Sequence, residues 1–271
     1  NRSIPILYYH RIGAPDPIHL SIPTQVFDAQ MGFLARRGVK TVTFSRLLRH
    51  LNGTDLLREP AVLLTFDDGF HDNFLNATPV LVKYGFKATV FAVSSLIRPE
   101  HQPPFSRPRP FNMAHTLARR GDLADFLSLH EMREMTSSGV FEIHSHSHRH
   151  QQVFHDIRFE GLYPEDDDHW GILSAYGNPL EKGVWPIFPR GAGLTRQGLF
   201  PDVHEMEKMV EETHGDRERL TKAFHSELSR RKFRAETREE YEQRVYDDLR
   251  QSRETFLPFH PEGCDTLCWP W

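Results

Sequence analysis

The chain has 271 residues, with 33 Lys and Arg against 37 Asp and Glu, so its formal net charge is −4. This balance creates no field that attracts polyanions, and we expect no nucleic-acid partner. Hydrophobic residues make up 38%, and no uninterrupted apolar run approaches the ~18 residues of a bilayer span. We therefore expect neither a transmembrane segment nor a wholly disordered chain.

The first half of the chain alternates short apolar runs with helical patterns. Residues 4–9 predict a buried strand, and the fully apolar run 61–66 predicts a strand buried on both faces. Strand, helix and strand at this spacing indicate a parallel α/β architecture. Further strands are predicted at 39–44, 88–93 and 140–143, and helices near 23–37, 46–51, 74–84 and 129–138.

The second half changes character between about 155 and 237, where an acidic run precedes a Gly, Pro and aromatic stretch and then charged helices. We expect an insertion into a single domain that spans 1–271, rather than a second core. A helix over 238–256 is predicted to return the chain to the sheet, and 266–269 predicts the next strand.

The two ends of the chain suggest a fragment or a processed form. The sequence begins at Asn1 with no readable signal peptide, and it stops in an aromatic and proline cluster, so we expect the natural chain to continue. A bacterial cytoplasm and a cell envelope both remain open as the compartment.

Asp67 and Asp68 follow a predicted buried strand, at the edge of the sheet where α/β folds assemble their sites. Two adjacent carboxylates in a partly dry place repel, so one must be protonated, pair with a cation or bind a metal. A metal on one of them leaves the other free to act as a general base. The alternative is an ordinary acidic turn, because Asp-Asp-Gly favours turns after any strand.

Four of the 17 histidines alternate in the segment His-Ser-His-Ser-His-Arg-His. The spacing places imidazoles at i and i+2 on one face of a strand, and at i and i+4 on one side if the chain curls after it. Two neutral imidazoles and one carboxylate leave open positions on a metal, as in catalytic sites. Both His144 with His148 and His146 with His150 satisfy this spacing.

Together the two motifs resemble the polysaccharide deacetylase family, the NodB-homology carbohydrate esterases. Residues 65–69, Thr-Phe-Asp-Asp-Gly, are similar to its first motif, and the histidine segment is similar to its second, His-Ser/Thr-x-x-His. Residues 5–12 and 87–91 look like the branch that deacetylates poly-N-acetylglucosamine. The resemblance implies an α/β fold, a distorted (β/α) barrel of the NodB-homology type that is incomplete at its C-terminus and carries the large insertion.

The resemblance also implies a set of site residues. The family pattern falls without a gap on the histidine segment when His146 and His150 are the ligands beside Asp68, and His144 then stands at a family glycine. Asp67 would be the catalytic base that takes a proton from the attacking water. One divalent metal ion is implied, with zinc expected and nickel, cobalt or iron as alternatives.

The substrate-binding residues implied by the resemblance are His10 and Trp271. His10 follows a strand at the same edge, and the last four residues correspond to the family's third motif, Arg-Pro-Pro-Tyr-Gly, in which the backbone N–H at Trp271 would help stabilise an oxyanion. Cys268 occupies the place of the arginine that orients the base. Arg11 or Arg190 would have to replace that arginine.

The implied function is a metal-dependent hydrolase that removes N-acetyl, or else O-acetyl, groups from a polysaccharide or oligosaccharide, which is the expected partner. A cyclic-amide or formamide hydrolase of the same superfamily is one alternative. A non-catalytic carbohydrate-binding module is another. The family's general-acid histidine has no counterpart up to residue 271, and the sequence does not indicate an oligomeric state.

Overall fold

The computed structural model describes residues 3–13, 18–107, 109–162, 170–176, 185–214, 216–224, 233–260 and 266–270. These residues form two compact units, the first within 1–114, 121–149 and 250–269, and the second within 115–120, 150–249 and 270. One domain over 1–271 with an insertion at about 155–237 stays a prediction. In the described ranges, no helix combines the length and the apolar content needed to cross a membrane.

The first unit is built on a parallel sheet. Its strands are β1 (Ile6–Tyr9), β4 (Lys40–Val42), β5 (Ala61–Asp68), β6 (Ala88–Ala92) and β7 (Phe141–Ser145). A separate short pair consists of β2 (Arg11–Ile12) and β3 (Ser21–Ile22). The order is β1-β5-β6-β7, with β4 also paired to β5, and every one of these pairings is parallel. The carboxyl ends of the strands therefore meet at one edge, and the predicted α/β class is confirmed.

Helices connect these strands in sequence order. They are α1 (Thr24–Arg36), α2 (Phe44–Leu51), α3 (Thr78–Tyr84), which follows a π-helical turn (Asn73–Ala77), α4 (Phe111–Ala118) and α5 (Leu129–Ser137). A capping box begins α5, because the Glu131 amide donates to the Ser128 hydroxyl and the Ser128 amide donates to the Glu131 carboxylate.

Strand β5 lies at the centre of the first unit, and its apolar run 61–66 is buried throughout, as predicted. Strand β1 was also predicted to be buried, and this is wrong for one of its faces. Ile6 is 55% and Tyr8 68% exposed, while Leu7 and Tyr9 pack against the core. Side chains alternate along a strand, so a run of apolar letters does not by itself show that both faces are covered.

The second unit combines short antiparallel strands with helices. They are β8 (Gln152–Phe154), β9 (Gly161–Leu162), α6 (Trp170–Tyr176), β10 (Pro186–Ile187), β11 (Arg190–Ala192), β12 (Leu199–Pro201), α7 (Val203–Glu212), α8 (Arg217–Phe224), β13 (Phe233–Ala235) and the start of α9 (Arg238–Phe256). Phe154, Phe188 and Phe224 belong to an apolar cluster of this unit. We expected no second core here, and the cluster corrects that expectation.

Near its C-terminus the chain follows the prediction in one element and departs from it in the next. Helix α9 has the predicted bounds. The strand predicted over 266–269 is wrong, because only one parallel bridge, between Leu267 and Ser145, forms there. The Cys268 amide donates to the Ser145 carbonyl (3.0 Å), so the segment still lies beside the end of β7.

Candidate metal centre

The acid pair ends β5 in a tightly packed turn. Asp68 is 2% exposed and has a φ of 70°, and Gly69 follows with a φ of 80°. A Cβ atom at residue 69 would lie 2.8 Å from the Cβ of Ala92 on β6, so this turn requires glycine. The backbone thus holds the Asp68 carboxylate inside the protein, unlike the carboxylates of an ordinary acidic turn.

The histidine segment leaves the sheet at a neighbouring position on the same edge. Asp68 pairs with Ala92, and Ala92 pairs with Ser145 at the end of β7. The His146 amide then donates to the Ala92 carbonyl (2.8 Å). As a result, Nε2 of His146 lies 3.7 Å from Oδ1 of Asp68.

Asp68, His146 and His150 form a buried group in which one ligand atom from each lies within 4.8 Å of the others. The chain curls after β7, where Ser147 and His150 have φ values of 72° and 47°. This curl brings the side chains of His146 and His150, which are four residues apart, close together. One carboxylate and two imidazoles suit zinc and related ions, and they leave positions for water or substrate.

The orientation of His146 is fixed by a backbone carbonyl. Its Nδ1 lies 3.0 Å from the Cys268 carbonyl oxygen, which only accepts hydrogen bonds, so Nδ1 carries the proton. In the neutral ring Nε2 is then an acceptor, and it faces the Asp68 carboxylate. Two acceptors that face each other fit a shared cation, and a carbonyl on the far nitrogen is the usual support of a metal-binding histidine.

Asp67 has a different environment. Its Oδ1 is buried and receives no hydrogen bond within the described part of the chain. Burial, and then the charge of Asp68, raise the pKa of Asp67 to about 7. A carboxylate with this pKa can accept a proton near neutral pH and hold it, which is what a general base requires.

The alternative histidine pair makes other contacts. Nδ1 of His144 lies 2.5 Å from the Thr266 hydroxyl, and its Nε2 lies 3.4 Å from Oε2 of Glu142. Nδ1 of His148 lies 2.8 Å from the Ser94 hydroxyl. Among the described residues the candidate metal group contains His146 and His150 and not this pair.

Arg11 serves a second pair of carboxylates rather than Asp67. Its guanidinium donates from Nε to Asp72 (2.7 Å) and from Nη2 to Asp125 (3.1 Å), and all three side chains are buried. It also donates to the Arg109 carbonyl. The expectation that Arg11 orients the base therefore finds no support in its contacts.

His10 and Trp271 are the two predicted substrate-binding residues. Tyr9 pairs with Phe66, so His10 follows β1 at the sheet edge, at the level of Asp67 near the end of β5. The His10 ring contacts that of Phe111 at 5.5 Å between centroids. Trp271 lies outside the described residues. Their roles in substrate binding stay predictions.

Arg190, the other candidate for the place of the missing arginine, belongs to the second unit, and that role stays a prediction. Its Nε is buried and finds no hydrogen-bond partner in the described ranges. Burial lowers its pKa, and the charge of Glu160 opposes this shift. Among the described residues, burial and Asp68 account for the raised pKa of Asp67, and no arginine opposes it.

Two aromatic neighbours of His150 were not found from the sequence. The ring of Trp170 lies 5.1 Å from that of His150 and stacks at 4.7 Å on the ring of His115. Both residues are almost completely buried. They belong to no motif, and only the three-dimensional structure brings them to the candidate ligand.

Comparisons with known proteins agree with these observations. The family model described as polysaccharide deacetylase matches residues 55–242. YxkH of Bacillus subtilis (strain 168), whose name places it among the polysaccharide deacetylases, is 32% identical over 162 residues. That match covers 60% of this chain and 46% of the relative, so the chain spans less than half the length of this relative.

Two solved structures are similar over nearly the whole chain. A de-N-acetylase from Aggregatibacter actinomycetemcomitans superposes with a TM-score of 0.61, over 99% of this chain and 79% of that one. The BpsB deacetylase domain from Bordetella bronchiseptica gives 0.57, over 98% and 79%. Both are 18% identical, so they show the fold alone, and the α/β fold of the NodB type that the resemblance implies is confirmed.

Proposed function

Because the chain belongs to the polysaccharide deacetylase family, we propose that it is a metal-dependent hydrolase of acetylated carbohydrate. It removes N-acetyl groups, or else O-acetyl groups, from a polysaccharide or oligosaccharide. The observation that carries the proposal is the buried group of Asp68, His146 and His150, with Asp67 beside it. The name of one structural relative, a de-N-acetylase, favours N-acetyl over O-acetyl chemistry.

In this proposal Asp68, His146 and His150 hold one divalent ion. Zinc is the first choice for one carboxylate and two imidazoles, and nickel, cobalt and iron share this preference. When bound, the ion supplies a Lewis acid for an acyl carbonyl and makes water more acidic. The Cys268 carbonyl keeps Nδ1 of His146 protonated and so leaves Nε2 as the ligand atom.

Asp67 performs the proton transfer. Its Oδ1 has no hydrogen bond to break within the described residues, and its pKa of about 7 lets it accept the proton of the attacking water at neutral pH. Glycine at position 69 keeps the turn against β6 and thus keeps Asp67 and Asp68 at the sheet edge. His10 and Trp271 contact the substrate in this proposal.

The first test is the metal content of the purified chain and of three variants in excess metal. We expect about one metal ion per chain, loss of the ion in His146→Ala and Asp68→Ala, and full stoichiometry in His144→Ala. Loss in His144→Ala with retention in His146→Ala would overturn the assigned ligands. No metal in any form, even after reconstitution, would overturn the metal centre.

The second test is acetate release from N-acetylglucosamine oligomers by the metal-loaded chain. Release that disappears in Asp67→Asn, while the metal stays bound, is the expected result. Ring opening of a small cyclic imide without acetate release would indicate the other hydrolase of the superfamily. Glycan affinity with a bound metal and no acetate release would indicate a binding module instead.

A further inference from the structure

The C-terminal segment 266–268 lies beside β7 with very little backbone pairing. One parallel bridge joins Leu267 to Ser145, and one further bond runs from the Cys268 amide to the Ser145 carbonyl. A regular parallel strand would have a continuous ladder that fixes its register. With a single bridge, side-chain contacts must hold the segment in place.

The shortest of these contacts joins the Thr266 hydroxyl to Nδ1 of His144, at 2.5 Å. The His144 side chain is itself firmly held. It is 1% exposed, its ring contacts those of Phe44 (5.6 Å) and Phe91 (5.9 Å), and its Nε2 lies 3.4 Å from Oε2 of Glu142. His144 therefore offers Thr266 a fixed attachment point.

A third residue strengthens the same attachment. The His260 ring lies 4.4 Å from that of His144, and its Nε2 bonds to the Ile143 carbonyl. Residue 260 lies in the chain between α9 and the segment, so the chain is attached to β7 both before and at Thr266. Both contacts lie within the first unit.

The bond between Thr266 and His144 is in register with the bond between Cys268 and His146, the candidate metal ligand. His144 bonds to Thr266 and His146 bonds to the Cys268 carbonyl, each with a sequence separation of 122. The two bonds are one strand repeat apart, ~6.6 Å along the chain. A shift of the segment along β7 would break both bonds together.

We propose that His144 and Thr266 are positioning residues for the metal ligand His146, because their side-chain bond holds the Cys268 carbonyl on Nδ1 of His146. The proposal rests on the proposed function, since it assigns a role toward the same metal. It also accounts for a histidine at the position where the family motif has glycine. Glycine has no side chain with which to hold Thr266.

The test compares Thr266→Val with Thr266→Ser in the full chain. Valine keeps the branched shape and removes the hydroxyl, whereas serine keeps the hydroxyl. We measure the dissociation constant of Co²⁺ and the visible absorption of bound Co²⁺, which reports the ligand arrangement directly. Loss of an outer partner of a ligand typically weakens metal binding 10–100-fold, so we expect about that loss and an altered spectrum in Thr266→Val, with both restored in Thr266→Ser.

A matched control is Thr255→Val in α9. It likewise removes one hydroxyl hydrogen bond, here to the Gln251 carbonyl, and this bond lies within α9 itself. We expect it to leave the Co²⁺ affinity and spectrum unchanged. An equal loss in Thr255→Val and Thr266→Val would mean that the effect is general destabilisation, and it would overturn the proposal.

A double-mutant cycle provides the second line of evidence. His144→Phe keeps a ring between Phe44 and Phe91 but cannot bond to Thr266. If both residues act through one bond, the double variant binds Co²⁺ no more weakly than the weaker single variant. Additive losses, or a Thr266→Val variant with wild-type affinity and spectrum, would overturn the positioning role. Failure of the wild-type chain to bind Co²⁺ would instead overturn the proposed function.

Discussion

Two pairs of carboxylates in the first unit, Asp72 with Asp125 and Asp67 with Asp68, have opposite surroundings. Asp72 and Asp125 share the guanidinium of Arg11, and Arg109 also donates to Asp125. Asp67 stands beside Asp68 and, among the described residues, is in no ion pair with a Lys or Arg side chain. Arginine side chains neutralise Asp72 and Asp125, whereas no arginine does so for Asp67 among the described residues.

The pKa values show the same contrast. Burial raises the pKa of Asp72, and the Arg11 guanidinium and the Ile12 amide oppose this shift. For Asp67, burial and the charge of Asp68 act in the same direction and raise the pKa to about 7. Among the described residues no arginine offsets the burial of Asp67, which agrees with the metal ion that we propose beside it.

The largest expected effect comes from removing the guanidinium that Asp72 and Asp125 share. Arg11→Met leaves Asp72 and Asp125 buried without their shared cation, and loss of one partner of a buried pair costs about 3–5 kcal/mol in the free energy of unfolding. Arg46→Met is the control, because its pair with Asp55 is exposed and is worth about 0–1 kcal/mol. Equal costs in urea denaturation would show that the Arg11 cluster is not what stabilises these carboxylates.

The next largest effect is the stabilisation by zinc, which we expect to bind at Asp68. Zinc at 100 times its dissociation constant should raise the free energy of unfolding of the wild-type chain by about 2.7 kcal/mol, because only the folded state binds it. Asp68→Asn removes a ligand and should abolish this increase. Asp55→Asn, at an exposed carboxylate, should keep it. Zinc stabilisation that survives in Asp68→Asn would exclude Asp68 as a ligand.

The sequence was sufficient to find Asp67 and Asp68. Residues 61–66 form an apolar run long enough to predict a buried strand, and the acids follow it directly. The i, i+4 spacing of His146 and His150 is also local, so it is visible without a structure. Local patterns of this kind determine which side chains reach the carboxyl edge of a parallel sheet.

The cluster of Arg11, Asp72 and Asp125 could not be found in the same way. Arg11 is 61 residues from Asp72 and 114 from Asp125, and no repeat or spacing links them. The same holds for Thr266 and His144, which are 122 residues apart. The core of the second unit also rests on aromatic residues scattered between 154 and 233, with no periodic pattern. Only tertiary packing brings such residues together.

The smallest effect tests Asp67 in the metal-free protein. Its pKa is 3.8 as a free side chain and about 7 when folded, so the folded state binds the proton more tightly. The metal-free chain should therefore lose stability as pH rises from about 4 to about 7. Asp67→Asn should flatten this slope and add on the order of 1–2 kcal/mol at pH 7, because it removes a carboxylate whose buried oxygen has no partner among the described residues.

The Asp67→Asn variant also distinguishes the role of a general base from that of a metal ligand. Zinc should still bind to Asp67→Asn, while acetate release falls about 10²–10⁴-fold, the usual contribution of a general base. Unfolding curves in a chelator and in excess zinc, each recorded across this pH range, provide the comparison. An unchanged slope in the chelator would mean that Asp67 is neutralised by a group of the chain itself, and the contrast with Asp72 would then disappear.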